Sequence, residues 1–195
     1  KALGTIKDSS FRVMLSDDDT LFSQEYIENM YEASGKDENR DRLICGLIDT
    51  NNGWMSPRTI RTTNAAFPFM LRKPVPGVYS NRNPVNSGLC IPGHLISSIG
   101  GYDERLFLDY VDYLFMDKIR AKGYGEVLLV PGKIVQDFSG FSDDIDSTLK
   151  RWEIFRKDFT TYCELTHKSW FYKNYLLARR SVNIKVQTLL KGKKR

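Results

Sequence analysis

An α/β fold with a mainly parallel sheet flanked by helices, followed by a helical extension, is predicted by three observations. Short apolar runs of strand length recur at residues 11–15, 43–49 and 126–130. Segments with helical periodicity lie between them, at residues 23–34 and 107–122. From residue 147 to about residue 190 the pattern is helical, aromatic and basic.

The elements follow in order. Ala2, Leu3 and Ile6 share one side of a segment that reads as the end of a helix. Phe11-Arg12-Val13-Met14-Leu15 reads as a buried strand that runs into Ser16-Asp17-Asp18-Asp19-Thr20. Ser23 is an N-cap for a helix carrying Tyr26, Ile27, Met30 and Tyr31 on one face, and Ser34-Gly35 should end it. Leu43 to Asp49 is a second buried strand, closed by an Asn51-Asn52-Gly53 turn. Residues 54–85 are rich in Pro, Asn, Arg and Thr and read as irregular strands and a long loop. Asn86 to Pro92 reads as a strand and turn, and a short helix from His94 to Ile99 stops at Gly100-Gly101. The helix over 107–122 ends at Gly123. A strand over 126–130 meets Pro131-Gly132, and Lys133 to Gln136 forms another strand. Residues 139–147 read as a flexible connector.

The chain of 195 residues is 41% hydrophobic and 12% aromatic, which excludes a largely disordered protein. No stretch approaches the length of a membrane-spanning helix, and no secretory leader pattern is present. The three cysteines, Cys45, Cys90 and Cys163, are far apart and in no CxxC pattern, which suits a reducing compartment. The net charge of +5 hides an asymmetry: residues 150–195 hold 13 Lys and Arg against 3 Asp and Glu, while residues 1–149 hold 16 against 21. An acidic body and a basic tail should meet different partners.

Asp17-Asp18-Asp19 is the sharpest feature. Three adjacent carboxylates at a strand end repel one another, and a bound hard cation would relieve that repulsion. In an extended turn residues i and i+2 point the same way, so Asp17 and Asp19 can face one ion. Mg²⁺ or Mn²⁺ suits such oxygen ligands and commonly bridges carboxylates to a phosphate. The plainer reading is an acidic lead-in to the following helix, favoured by its dipole. A second acidic cluster holds Asp109 and Asp112, three apart and therefore on one face if the segment is helical. One of them could serve as a general base. The plainer reading here is first-turn carboxylates capping the 107–122 helix.

Taken in order, these motifs resemble family 2 glycosyltransferases with the GT-A fold. The strand and Asp-x-Asp turn over 13–20 look like that family's DxD motif. Asn86-Ser87-Gly88, then Gly100-Gly101-Tyr102-Asp103-Glu104, then Leu106-Phe107-Leu108-Asp109-Tyr110-Val111-Asp112 is close to the pattern of rhamnosyltransferase-like, polysaccharide-building members. Where the family carries a His-x-x-Gly whose His helps hold the metal, this sequence has Asp137 followed by Phe138-Ser139-Gly140. The resemblance covers about residues 1–140.

The resemblance implies a GT-A catalytic domain over 1–146 and a helical extension over 147–195. It implies that nucleotide-binding segments precede Lys1, because the family's DxD strand comes midway. Asp17 and Asp19, with Asp18 between them, would bind a divalent cation that bridges the diphosphate of a nucleotide-sugar. Asp137 would complete the metal set as a hard ligand in place of His. Asn86, Ser87 and Gly88 would line the sugar pocket. Asp112 matches the family's base best, with Asp109 orienting the acceptor, though the reverse assignment stays open. The implied reaction is an inverting transfer from dTDP-rhamnose or a UDP-sugar to a glycan or lipid-linked acceptor in cell-surface polysaccharide synthesis. A nucleotidyl- or phosphotransferase is the alternative within enzymes, and a non-catalytic sugar-nucleotide-binding module is the alternative outside them.

Other candidates carry less. Arg58, Arg61 and Arg72 could touch phosphate or an anionic acceptor, but such arginines are more often solvated surface. His94 and His167 have no Ser or Cys partner in a nucleophile motif. Cys90 reads as core. In the tail, Trp152, Phe155, Phe159, Tyr162, Trp170, Phe171 and Tyr175 recur at helical spacings. They read as a packed aromatic stripe, or as a surface resting on anionic lipid with Arg179, Arg180, Lys185, Lys191, Lys193, Lys194 and Arg195 near headgroups. No nucleic-acid-binding motif accompanies them. The expected location is the cytoplasm, peripheral at the inner face of the plasma membrane.

Overall fold

The computed structural model describes residues 11–50, 53–59, 73–136 and 145–192. They fall into two compact units: residues 11–102 with 115–136, and residues 103–114 with 145–192.

The first unit is a mixed α/β layer. In chain order it holds β1 (Arg12–Met14), β2 (Thr20–Phe22), α1 (Gln24–Ser34), a 3₁₀ turn (Asp37–Asn39), β3 (Leu43–Thr50), β4 (Gly53–Ser56) and β5 (Arg58–Thr59). β6 (Gly77–Tyr79), β7 (Arg82–Asn83), β8 (Cys90–Pro92) and α2 (Gly93–Ile99) follow. Helix α3 (Val111–Ala121) begins in the second unit, and β9 (Val127–Gln136) completes the sheet. The main path of the sheet runs β1-β8-β3-β9-β2, with β4 on β3 and β6 on β9.

Strands β3 and β9 form the centre because both of their faces are apolar. On β3, Leu43 and Cys45 join one core with Leu89, Ile91, Phe115 and Met116, while Ile44 and Ile48 join the other with Tyr26, Cys90 and Ile134. The two-residue period of a strand sends successive side chains to opposite layers.

The expectation of a mainly parallel sheet is corrected. Among the described residues β3 and β9 are the parallel pair, whereas β1/β8, β2/β9, β3/β4, β3/β8 and β6/β9 are antiparallel. Helices alternating with strands imply parallel neighbours only when each helix joins adjacent strands. Here α1 joins β2 to β3, and β9 lies between them.

The local signals are clearer. Ser23 caps α1, its Oγ accepting from the Tyr26 N–H at 3.2 Å, and Gly35 closes the helix. Gly100, in the left-handed conformation, closes α2. Pro131-Gly132 does not divide the last strand, which runs unbroken over ten residues. Gly132 has φ +104°, and a Cβ there would lie 2.3 Å from the Tyr26 backbone nitrogen. Only glycine lets α1 approach β9 this closely. Ser23 seals the contact by accepting the Lys133 N–H at 3.0 Å.

The second unit packs α4 (Ile145–Leu165) and α5 (Trp170–Gly192) with residues 103–114. Its core is Leu106, Leu114, Phe155, Phe159, Tyr162 and Cys163, with Trp152, Tyr172, Leu176 and Leu177 against it. The tail aromatics therefore divide. Trp152, Phe155, Phe159 and Tyr162 pack inward, whereas Trp170 and Phe171 are each 74% exposed. Among the described residues no helix is long and apolar enough to cross a membrane.

Candidate functional site

The acidic turn and the Asn86–Gly88 segment meet because β1 and β8 pair antiparallel, with Met14 opposite Cys90. The ladder continues one step beyond the strands: Leu15 N–H donates to Leu89 O and Gly88 N–H to Leu15 O, both at 2.9 Å. Gly88 has φ +73°, a conformation that favours glycine, and a Cβ there would lie 2.3 Å from Ile134 Cδ1 of β9, whose side chain would have to shift. The Tyr26 hydroxyl donates to Gly88 O, and burial holds that phenol above its ordinary pKa. Ser87 is buried, and its Oγ donates to Asp17 Oδ2. The Tyr102 hydroxyl donates to Asn86 Oδ1 and fixes the side chain next in sequence.

A residue that the motifs do not single out completes this arrangement. Gln136 ends β9, opposite Thr20 of β2. Its Nε2 donates to Asp17 Oδ2 at 3.0 Å and to Asp19 Oδ1 at 3.1 Å. Asp17, Asp18 and Asp19 are exposed at the level of the whole residue, whereas Gln136 is only 8% exposed. The signal for Gln136 was positional: it is the last residue of the last sheet strand, next to Asp137.

Among the described residues no Lys, Arg or His forms an ion pair with Asp17, Asp18 or Asp19. No group of three or more His, Cys, Asp and Glu side chains is placed to hold a metal among them either. Two observations bear on whether a hard divalent cation fits here. One amide nitrogen reaches both Asp17 and Asp19, so the two carboxylates are already turned toward a common point. The oxygen of that amide, Gln136 Oε1, is buried with no hydrogen-bond partner. Two carboxylates and an amide oxygen form a donor set suited to Mg²⁺ or Mn²⁺, which commonly take their remaining ligands from phosphate and water. The residues fit.

The second acidic cluster is built differently. The helix begins at Val111, not at 107, so Asp109 lies outside it and shares no helical face with Asp112. The cause is Asp158, a fully buried carboxylate on α4. It accepts the N–H groups of Phe107 at 3.1 Å and of Leu108 and Asp109 at 2.8 Å. Three successive amides wrapped around one anion cannot also start a helix, and Tyr110 turns the chain with φ +62°. Asp109 accepts from both terminal nitrogens of Arg151, one at 2.9 Å, in a bidentate ion pair. Asp112 is half-buried in the first turn of α3. Asp103 is held by Arg105 through two contacts of 2.8 Å.

The other candidates have structural partners or are not described. Asp137, Arg61 and Arg72 lie outside the described residues. Arg58 sits 4.8 Å over the Trp54 ring and donates to Met55 O at 2.8 Å and Trp54 O at 3.1 Å. His94 pairs with Asp41 at 2.9 Å. The three thiols are buried, and burial pushes Cys45 up to about 12 and raises Cys90, which removes their nucleophilic character near neutral pH. A cleft of about 860 Å³ between α1 and β1 is lined by Arg12, Met14, Tyr31, Cys90 and His94, and none of the residues expected to hold the metal, act as base or line the sugar pocket borders it.

The fold and the site thus rest on the chain's own residues. No family model matches the chain, and no curated protein matches it.

Proposed function

We propose that the chain is the catalytic part of a metal-dependent inverting glycosyltransferase of the GT-A, family 2 type. It would move a sugar from a nucleotide-sugar, such as dTDP-rhamnose or a UDP-sugar, to a glycan or lipid-linked acceptor in cell-surface polysaccharide synthesis. The observation that carries the reading is the meeting of motifs far apart in sequence. Asp17 of the DxD turn bonds to Ser87 of the Asn86–Gly88 segment, and Gln136 bridges Asp17 and Asp19.

Asp17 and Asp19 would hold Mg²⁺ or Mn²⁺, with Gln136 turning its amide to present Oε1. When bound, such a cation offsets the charge that develops on the leaving nucleoside diphosphate. Ser87 fixes the Asp17 carboxylate by donating to Oδ2, which leaves Oδ1 for the ion or the donor. Asn86, clamped by Tyr102, offers its amide nitrogen to a sugar hydroxyl. In the other unit, Asp112 is assigned the base on the resemblance, to take the proton of the acceptor hydroxyl. The Arg151 ion pair occupies both oxygens of Asp109 and favours Asp112 over Asp109 for that role.

The test is donor hydrolysis and transfer by the full-length protein in Mn²⁺, with dTDP- and UDP-sugars as donors. Asp17→Ala with Asp19→Ala should abolish metal-dependent sugar release. Asp112→Asn should lower transfer by about 10²- to 10⁴-fold, the usual contribution of a general base. Undiminished turnover in the double alanine variant would remove the metal assignment.

A further inference from the structure

Helix α5 is apolar on two opposite sides. Its inner side sends Tyr172, Leu176 and Leu177 into the core of the helical unit, and Arg180 lies 3.8 Å over the Phe155 ring. Its outer side carries Phe171, Tyr175, Val182 and Val186, which fall at helical spacing on one stripe. They are 74%, 45%, 57% and 49% exposed, and Trp170 at the head of the helix is 74% exposed. A helix apolar all round is normally buried on all sides, so this outer stripe calls for an occupant.

Charge selects the occupant. From Leu165 to Arg195 there is no Asp or Glu, against nine Lys and Arg. A second copy meeting this stripe with its own would bring the same cations and be repelled. A nucleic acid would meet the cations but leave the Phe and Val stripe facing its phosphates. An anionic lipid surface satisfies both features. Its headgroups take the cations, and its acyl boundary takes the aromatic and branched side chains. We propose that the outer face of α5 is a docking surface for anionic membrane lipid. Trp170, Phe171, Tyr175, Val182 and Val186 enter the interface, and Arg179 and Lys185 meet lipid phosphates at its rim. The assignment is independent of the metal and transferase readings.

The test is co-sedimentation of the full chain with vesicles of phosphatidylcholine, with and without about one third phosphatidylglycerol. Binding to the anionic vesicles should be at least about tenfold tighter and should weaken as salt is raised. Phe171→Glu with Val182→Glu should lower that partition by about tenfold or more with an unchanged circular dichroism spectrum, because both side chains face solvent. Brominated lipid should quench tryptophan fluorescence in the wild type, and Trp170→Phe should remove most of the quenching. Equal partition of wild type and the double variant would overturn the proposal, as would no binding to anionic vesicles. Concentration-dependent dimerisation that the double variant abolishes would overturn it in favour of a second copy.

Discussion

The two acidic turns of this chain are alike in sequence and opposite in how their charge is held. Asp17 and Asp19 receive neutral donors, the Ser87 hydroxyl and the Gln136 amide. Asp109 receives a guanidinium, and nearby Asp158 is buried under three backbone amides. Neutral dipoles orient a carboxylate without cancelling its charge, whereas a bidentate arginine does both. Among the described residues the first turn therefore keeps its negative charge. The second is balanced from within, and its carboxylates shape the segment that leads to Asp112.

The strongest way to break this contrast is to remove one carboxylate from each side. Asp158→Ala leaves three partly buried N–H groups without their acceptor and empties a buried position, and should cost about 3 kcal/mol of stability. Asp17→Ala removes an exposed anion that its neighbours repel, against the loss of the Ser87 and Gln136 hydrogen bonds, and should cost less than about 1.5 kcal/mol. Urea unfolding of the two variants, followed by tryptophan fluorescence, measures both. Comparable losses would mean that the first turn is as structural as the second.

The same contrast explains what the sequence disclosed. Whatever depends on a few consecutive residues was legible: the Ser23 cap, the glycine ends of α1 and α2, the apolar run of β3. So was the acidic turn as a concentration of charge, because three adjacent carboxylates repel one another. What depends on distant partners was not. Strand direction is set by which strands become neighbours, and the alternation of helix with strand does not encode that. The start of α3 was misplaced because Asp158, forty-nine residues beyond Asp109, claims the amides of the expected first turn. Gln136 was missed because a glutamine at a strand end has no signature until its partners are known. The tail aromatics looked like one stripe because helical spacing alone does not separate the face that packs from the face that does not.

A cation should sharpen the contrast further. If the first turn is the metal site, Mn²⁺ at about a hundred times its dissociation constant should stabilise the folded chain by about 2.7 kcal/mol, seen as a rise in melting temperature. Asp17→Ala with Asp19→Ala should remove that rise. Gln136→Glu replaces a neutral donor with a third carboxylate beside two others. It should lower the melting temperature in chelator and enlarge the rise in Mn²⁺. An unchanged Mn²⁺ response in the double alanine variant would place the cation elsewhere.

The smallest effect tests the second turn by itself. The Asp109 and Arg151 side chains are 17% and 34% exposed, so their ion pair is only partly screened. A double-mutant cycle with Asp109→Asn and Arg151→Gln should return a coupling energy of about 1 kcal/mol that falls in high salt. Arg151 also separates two explanations of any activity loss. If Asp109 only shapes the segment before α3, Asp109→Asn should lower stability and activity together, and the second substitution should add little further loss to either. If Asp109 accepts the acceptor's proton, Asp109→Asn should lower kcat by far more than its stability change explains, and Arg151→Gln should not reproduce that loss. The ion pair argues for the first outcome, because both Asp109 oxygens already accept from the guanidinium and neither is left free to face an acceptor hydroxyl.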